Sequence, residues 1–291
     1  MRPLIGAHVP VAGGLLRGVE YADRVGAEVI QIFAANARRW GWQDPDPVQD
    51  VAFQAGTADR GVPVFVHASY LINVGSADPA IRRRSLAALT HAVDRAADLG
   101  ARGVVVHTGS AVGAARNGRR GCLVSGPIST RLRDLLLPVL DRGGALGLRL
   151  LVEPTAGGGT SLASRVEHLG PYFDALDRHP ALGVCLDTCH LWAAGHDLAA
   201  DGGLAATLDA LVEAVGPDRV GLVHANGSRD GLGSGRDRHE SLAAGMLDTS
   251  AFRQLLANDA LREVPVVVET ATEGHRADIA LLKGLRDGLA G

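Results

Sequence analysis

The sequence predicts an α/β fold, a single (β/α)8 TIM barrel over residues 1–291 with its functional site at the carboxyl ends of the strands. Three observations carry that expectation. Eight short apolar, β-branched runs recur along the whole chain, continuous rather than alternating and flanked by Gly or Pro, which is the pattern of strands buried on both faces of a parallel sheet. Stretches with helical apolar spacing separate them. No linker or shift in composition divides the chain. A doubly wound open sheet is the runner-up, but it normally carries fewer strands and often a Gly-rich phosphate turn, and no GxGxxG or Walker pattern follows any run here.

Taken in order, the predicted strands are residues 4–9, 29–34, 62–67, 103–107, 150–153, 183–187, 220–224 and 265–269. Gly26, Gly61 and Gly100 stand where helix C-caps belong, just before the second, third and fourth strands. Residues 79–99, 128–146 and 161–176 read as helices, and the stretch around Lys283 reads as a terminal helix. The glycines 157–159 follow the fifth strand but lack the lysine and the spacing of a phosphate loop.

Composition narrows the chemistry. Hydrophobic residues make up 46% and charged residues 21%, which excludes a disordered chain, a coiled coil and a small disulfide scaffold. Three cysteines cannot all pair and a chain of this size needs no disulfide, so a cytoplasmic location is expected. No apolar run approaches the ~20 residues of a membrane span, and no signal peptide opens the chain, so no membrane partner is expected. The formal net charge of −3 argues against a non-specific nucleic-acid coat but is silent on local patches. Lysine occurs once, at Lys283, among 29 basic residues, which leaves little room for Schiff-base chemistry.

The active site of such a barrel sits at the carboxyl ends of its strands. The predicted ends carry His8, Phe33, His67, His107, Glu153, Asp187, His224 and Glu269, and the loops add His190, Asp237 and His239. One strand-end histidine is more often a hydrogen-bonded core residue, and Asp187 alone could cap a helix. The set resists that reading, because four carboxylates in one desolvated mouth repel unless cations compensate. Imidazole and carboxylate donors without thiolates are those zinc or manganese takes, so a multinuclear metal site is expected. Close metals serve phosphoester chemistry. Arg38, Arg39, Arg116, Arg119, Arg120, Arg229, Arg236 and Arg238, expected around the rim, together suit a polyanion better than a neutral sugar. Cys185 and Cys189 read as buried small residues rather than ligands.

Several motifs then fall in a specific order. They are Gly6-Ala7-His8-Val9, Asn36-Ala37-Arg38-Arg39-Trp40, His67-Ala68-Ser69-Tyr70, His107-Thr108-Gly109-Ser110, Glu153-Pro154-Thr155-Ala156-Gly157, Asp187-Thr188-Cys189-His190, Asp237-Arg238-His239-Glu240 and Glu269-Thr270. Over nearly the whole chain this resembles the endonuclease IV family of apurinic/apyrimidinic endonucleases. The resemblance implies a trinuclear barrel with three Zn2+, Mn2+ being acceptable at one site. Carried over by motif, His67, His107 and Glu153 resemble the ligands of a first zinc. Glu153 bridges to a second, completed by Asp187, His224 and Glu269, and His190, Asp237 and His239 resemble the ligands of a third. Glu153 and Glu269 are thereby the expected catalytic carboxylates. The implied reaction is hydrolysis of the phosphodiester 5′ to an abasic site in damaged double-stranded DNA, by a monomer that needs no Ser, Cys or Lys nucleophile. Arg38 and Tyr70 match positions the family inserts into DNA; Arg39, where the family often has Gln, is a further DNA-contact candidate.

The chain departs from the family one layer out. Pro154 stands where the family usually has Asn, Gly227 and Arg229 where it usually has Asp and Lys, and residues 111–125 are unusually rich in Gly and Arg. These changes bear on substrate range and rate more than on metal binding. Two other functions fit the same barrel. A metal-dependent sugar isomerase or epimerase would have no use for the pair Asp237 and His239. A catalytically altered homologue that binds damaged DNA sits poorly with the intact nine-residue set.

Overall fold

Eight parallel strands close on themselves. In a computed structural model that describes residues 2–42, 44–112 and 124–289, β1 (Ile5–His8), β2 (Ile30–Phe33), β3 (Val64–His67), β4 (Gly103–His107), β5 (Arg149–Glu153), β6 (Leu182–Asp187), β7 (Val220–His224) and β10 (Val266–Val268) form the barrel. The first strand pairs with both β2 and β10, which closes the ring. A two-stranded antiparallel ribbon, β8 (Gly227–Ser228) with β9 (His239–Glu240), rises from the loop after β7. All eight predicted runs are strands, shifted at their ends by a residue or two.

The helices are α1 (Leu15–Val25), α2 (Pro47–Ala58), α3 (Pro79–Asp98), α4 (Pro127–Ala145), α5 (Leu169–Ala175), α6 (Thr188–Ala193), α7 (Gly203–Val215), α8 (Thr249–Ala257) and α9 (His275–Gly288). Their starts are written locally. Asp46, Asp78 and Asp248 each accept a backbone N–H of the first turn, and Pro47 and Pro79 bring a preset φ to the first helical position. At Gly26, φ of 73° ends α1 in the left-handed form and turns the chain toward β2. Among the described residues no helix is long and apolar enough to cross a membrane.

One predicted helix is shorter than expected. Residues 161–165 are not helical; a 3-10 turn at Val166–His168 leads into α5. Their backbone is engaged elsewhere. Leu162 N donates to Gly109 O (2.9 Å), while Ala163 O accepts from Thr155 N (3.1 Å) and Thr108 Oγ1 (2.8 Å), so this segment knits the loops after β4 and β5 together.

Apolar burial comes in two parts. A large layer between strands and helices includes Leu89, Val93, Leu132, Leu136 and Leu140. A second, smaller cluster fills the barrel itself: Val29, Phe65, Val105, Leu151, Cys185, Leu222 and Val267, with Leu4 packed against it. At the N-terminal ends of the strands, Glu28 gathers Arg286 (2.6 Å), Lys283 (2.9 Å) and the backbone N–H of Ile5 (3.0 Å). The only lysine is therefore tied down at the end of the barrel away from the strand carboxyl ends.

Candidate metal centre

Strand side chains alternate, so a residue two positions beyond an inward-facing one also faces inward. Two residues beyond the interior aliphatic cluster stand Gln31, His67, His107, Glu153, Asp187, His224 and Glu269, and His8 lies on the same alternation in β1. An apolar floor thus carries a polar layer, one residue per strand. Gln31 is the member that sequence reasoning missed, because the second apolar run points to Phe33 as its strand end. The period-two offset from Val29 was the available signal.

The polar layer and the loops above it form three adjoining clusters. His67, His107 and Glu153 make the first, Glu153, Asp187, His224 and Glu269 the second, and Asp187, His190 and His239 the third; within each, the ligand-type atoms lie within 4.8 Å of one another. Glu153 Oε2 is 3.4 Å from both His67 Nε2 and His107 Nε2. His224 Nδ1 lies 3.1 Å from Glu153 Oε1 and 3.2 Å from Glu269 Oε2. Asp237 joins the third cluster from the loop, its Oδ1 3.2 Å from His190 Nε2 and 3.3 Å from His239 Nε2. All nine sequence-predicted residues therefore meet at one mouth.

The donor set fits divalent cations. Among the described residues, Glu153 Oε2, His190 Nε2 and His239 Nε2 are buried without a hydrogen-bond partner, a costly condition unless something else engages them. The opposite ring nitrogens are occupied. His67 Nδ1 donates to Ala68 O (2.7 Å), His190 Nδ1 to Pro154 O (3.0 Å) and His224 Nε2 to Gln31 Oε1 (3.0 Å). Such outward bonds fix the tautomer and aim the other nitrogen inward, as metal-binding histidines require. Pro154 keeps the carbonyl that His190 needs, so the loss of its N–H leaves this contact intact. Gln31 Nε2 also donates to Glu269 Oε1 (2.6 Å), and Asn226 Nδ2 to Asp187 Oδ2 (2.7 Å). His8 Nδ1 is 3.0 Å from Glu269 Oε1, and its Nε2 is likewise buried and unpartnered.

Charge in the mouth is held in tension. Burial works against every ionised group there. It wins at His107, whose pKa falls to about 4. At His239 burial is outweighed by the nearby Asp187 and Asp237 carboxylates, and the pKa rises to about 9. His190 and His224 are raised in the same sense against burial, His190 by Asp187, Asp237 and Glu153 and His224 by the Cys185, Glu269 and Glu153 groups. Glu153 and Glu269 are held below the usual carboxylate range, with the neighbouring imidazoles outweighing burial. The carboxylates demand positive charge, and protons and metal ions compete to supply it. Cys185 and Cys189 are buried as expected, and burial pushes both thiols up to about 12.

The rim differs from the expectation in one respect. Arg38 and Arg39 are exposed and line, with Tyr70, Trp42 and Asp46, a groove of about 1370 Å3. Arg229, Arg236 and Arg238 are instead paired with acids, Arg229 with Glu240 (3.2 Å) and the other two with Asp230. Sequence position alone does not reveal such partners. Arg116, Arg119 and Arg120, and residues 113–123 of the Gly/Arg-rich loop, lie outside the described residues. Tyr70 is 49% exposed, yet its ring meets Phe33 at 5.2 Å and His67 at 5.4 Å between centroids. Ala37 O accepts from both Tyr70 N (3.1 Å) and Ser69 Oγ (2.8 Å), which joins the loops after β2 and β3.

Comparison with known proteins gives a consistent picture. The xylose isomerase-like TIM barrel family matches residues 19–288. The chain is 49% identical over 289 residues to a probable endonuclease 4 of Streptomyces coelicolor, covering 98% of this chain and 95% of that one. A probable endonuclease 4 of Chloroflexus aurantiacus is 34% identical over 291 residues, covering 98% and 99%. Among solved structures, endonuclease IV from Thermus thermophilus superposes with a TM-score of 0.82 at 34% identity, covering 98% of this chain and all (100%) of the other. A D-tagatose 3-epimerase-like protein reaches a TM-score of 0.71 at 16% identity, covering 99% and 98%, and shares the fold alone.

Proposed function

The chain belongs to the endonuclease IV family of xylose isomerase-like TIM barrels, and on that premise we propose that it hydrolyses the phosphodiester 5′ to abasic sites in damaged double-stranded DNA. We propose further that it acts as a cytoplasmic, monomeric, single-domain barrel with three zinc ions. The observation that carries this reading is the convergence of eight imidazole and carboxylate residues into three clusters that share Glu153 and Asp187, with Asp237 as a ninth within 3.3 Å of His190 and His239.

His67, His107 and Glu153 would hold one ion, Glu153, Asp187, His224 and Glu269 a second, and His190, Asp237 and His239 a third. Divalent ions so held would lower the pKa of water and stabilise charge on the attacking and departing oxygens of a phosphodiester. The protein's own residues prepare the place. Glu153 faces two clusters with its two oxygens, Oε2 toward His67 and His107 and Oε1 toward His224. Gln31 and the Pro154 carbonyl hold His224 and His190 in the tautomers that turn Nδ1 and Nε2 inward. A buried apolar floor closes the site from below. Burial, with the Glu269 and Glu153 charges, raises the Tyr70 phenol pKa, so its hydroxyl remains a hydrogen-bond donor. An abasic nucleotide stacks poorly and is readily extruded, and Arg38, Arg39 and Tyr70, which line the groove beside His67, would be the residues that meet the duplex. No side-chain nucleophile is required, which suits thiols raised to about 12. A sugar isomerase could use one carboxylate-rich cluster but leaves the pair Asp237 and His239 beside His190 without a role.

The test is incubation of the zinc-loaded protein with a duplex carrying one abasic site, with and without chelator. Expected is a single cut leaving a 3′-hydroxyl, abolished by chelation and restored by zinc. No cut by zinc-loaded protein, or a cut indifferent to chelator, would refute the reading.

A further inference from the structure

Asp237 presents a mechanical problem. Its side chain is 51% exposed, while the His190 side chain it faces is 2% exposed, so packing does not hold the carboxylate in place. A loop side chain kept in one orientation loses conformational freedom, and something must offset that loss. The residues on either side of Asp237 are arginines, and both turn back to one carboxylate. Asp230 Oδ2 accepts from Arg238 Nε (2.7 Å), Oδ1 accepts from Arg238 Nη2, and Arg236 Nη1 lies 3.5 Å from the same Oδ1.

Asp230 is itself anchored. Its carbonyl accepts from Trp192 Nε1 (3.0 Å), and its N–H donates to Ser228 Oγ (3.2 Å). Trp192 belongs to α6, the helix that carries His190. The loop is tied to the same helix twice more, by Gly233 N to Trp192 O (3.0 Å) and Gly235 N to Ala193 O (2.9 Å). On the far side, Arg229 Nε donates to His239 O (3.2 Å). The loop that brings Asp237 and His239 is thus registered against the helix that brings His190, and Asp230 is the node between them. Gly227 could not supply this carboxylate, since a Cβ there would come within 2.7 Å of Glu240 O and 2.8 Å of Ser241 O.

We propose that Asp230 is a positioning residue for the His190, Asp237 and His239 cluster: by holding Arg236 and Arg238 it sets Asp237 and His239 over His190 before an ion arrives. This rests on the metal reading above and deepens it. The two arginines then serve the loop first, rather than standing free for a polyanion.

The experiment compares the full-length protein with Asp230→Ala and Asp230→Glu by zinc-binding isotherms at buffered free zinc, with the melting temperature of each chelated protein as a second measurement. Expected is a weakening of about tenfold at one class of zinc site in Asp230→Ala, the low end of the 10- to 100-fold effect of removing a group bonded directly to a metal ligand, because Asp230 acts through Arg236 and Arg238. Asp230→Glu should recover most of it. The chelated proteins should melt within about 3 °C of each other, because the lost ion pairs are at the surface. An Asp230→Ala isotherm equal to the unmodified one, or Asp230→Glu as impaired as Asp230→Ala, overturns the assignment. So does unchanged zinc binding with tighter duplex binding at the same salt, which would make Asp230 a brake on rim charge, or a large fall in the chelated melting temperature, which would make it part of the fold. An unmodified protein that binds fewer than two zinc ions would instead remove the metal reading itself.

Discussion

Lowering the pH from 8 to 6 should empty the metal centre in a fixed order. A metal takes the neutral imidazole, so a histidine that is protonated in the metal-free protein must first release its proton. His239 sits at about 9, with Asp187 and Asp237 outweighing burial. Below that value each pH unit weakens zinc binding about tenfold through this one group, so between pH 8 and 6 the loss is roughly 100-fold. His190, raised in the same sense, adds to it. His107 is lowered by burial to about 4 and is already neutral across the range, so its cluster carries no such penalty from that ring. The cluster of His190, Asp237 and His239 should therefore lose metal first and that of His67, His107 and Glu153 last. The measurement is zinc per chain by elemental analysis after equilibration at one buffered free-zinc concentration at pH 6, 7 and 8. Loss of all ions at a single pH, or loss from the His107 cluster first, would refute the reasoning. The chelated protein should show the opposite trend. A folded value raised above the ordinary ~6.5 contributes stability that is complete below ~6.5 and fades as pH rises through about 9, so this group stabilises the metal-free fold most on the acid side.

Three further outcomes follow from the geometry. Glu153→Gln or Glu269→Gln should reduce cleavage of an abasic duplex by several orders of magnitude, since each weakens a cluster built around a shared or terminal carboxylate; near-normal turnover in either would place the chemistry elsewhere. Arg38→Ala combined with Tyr70→Ala should weaken duplex cleavage while leaving zinc content and hydrolysis of a small activated phosphodiester intact, and equal loss on both substrates would assign the pair to the fold or the metal site. Gln31→Leu leaves buried His224 Nε2 without its acceptor, so urea unfolding of the chelated protein should show a loss of about 1–3 kcal/mol and zinc binding should weaken 10- to 100-fold; an unchanged zinc isotherm would end the role given to Gln31.

The barrel was legible because parallel strands covered on both faces read as continuous apolar runs, and all eight are present where the runs stand. The nine predicted residues were legible because strand ends in such a barrel share one mouth, so chain order alone gathers His67, His107, Glu153, Asp187, His224 and Glu269. Gln31 was missed, since a continuous run hides which of its residues face inward; the offset of two from Val29 points to it, and the register with Phe65 in the neighbouring strand settles it. The helix expected from residue 161 failed for a different reason. Its apolar spacing is real, but Leu162 and Ala163 give their backbone groups to two other loops, a long-range claim that local periodicity does not record. The arginines show the same limit. Arg236 and Arg238 look like free rim charge until Asp230 is seen between them.

The apolar plug beneath the polar layer has an electrical consequence. Field lines avoid a poorly polarisable medium and leave through the more polarisable side, so charge resting on Val29, Phe65, Val105, Leu151, Leu222 and Val267 is felt mainly outward, along the barrel axis into solvent. Divalent cations lodged there would act as a lamp with a reflector behind it. A chain whose formal charge sums to −3 can then present a strongly positive aperture on one side and stay acidic elsewhere, and a passing polyanion is drawn in only when it faces that opening.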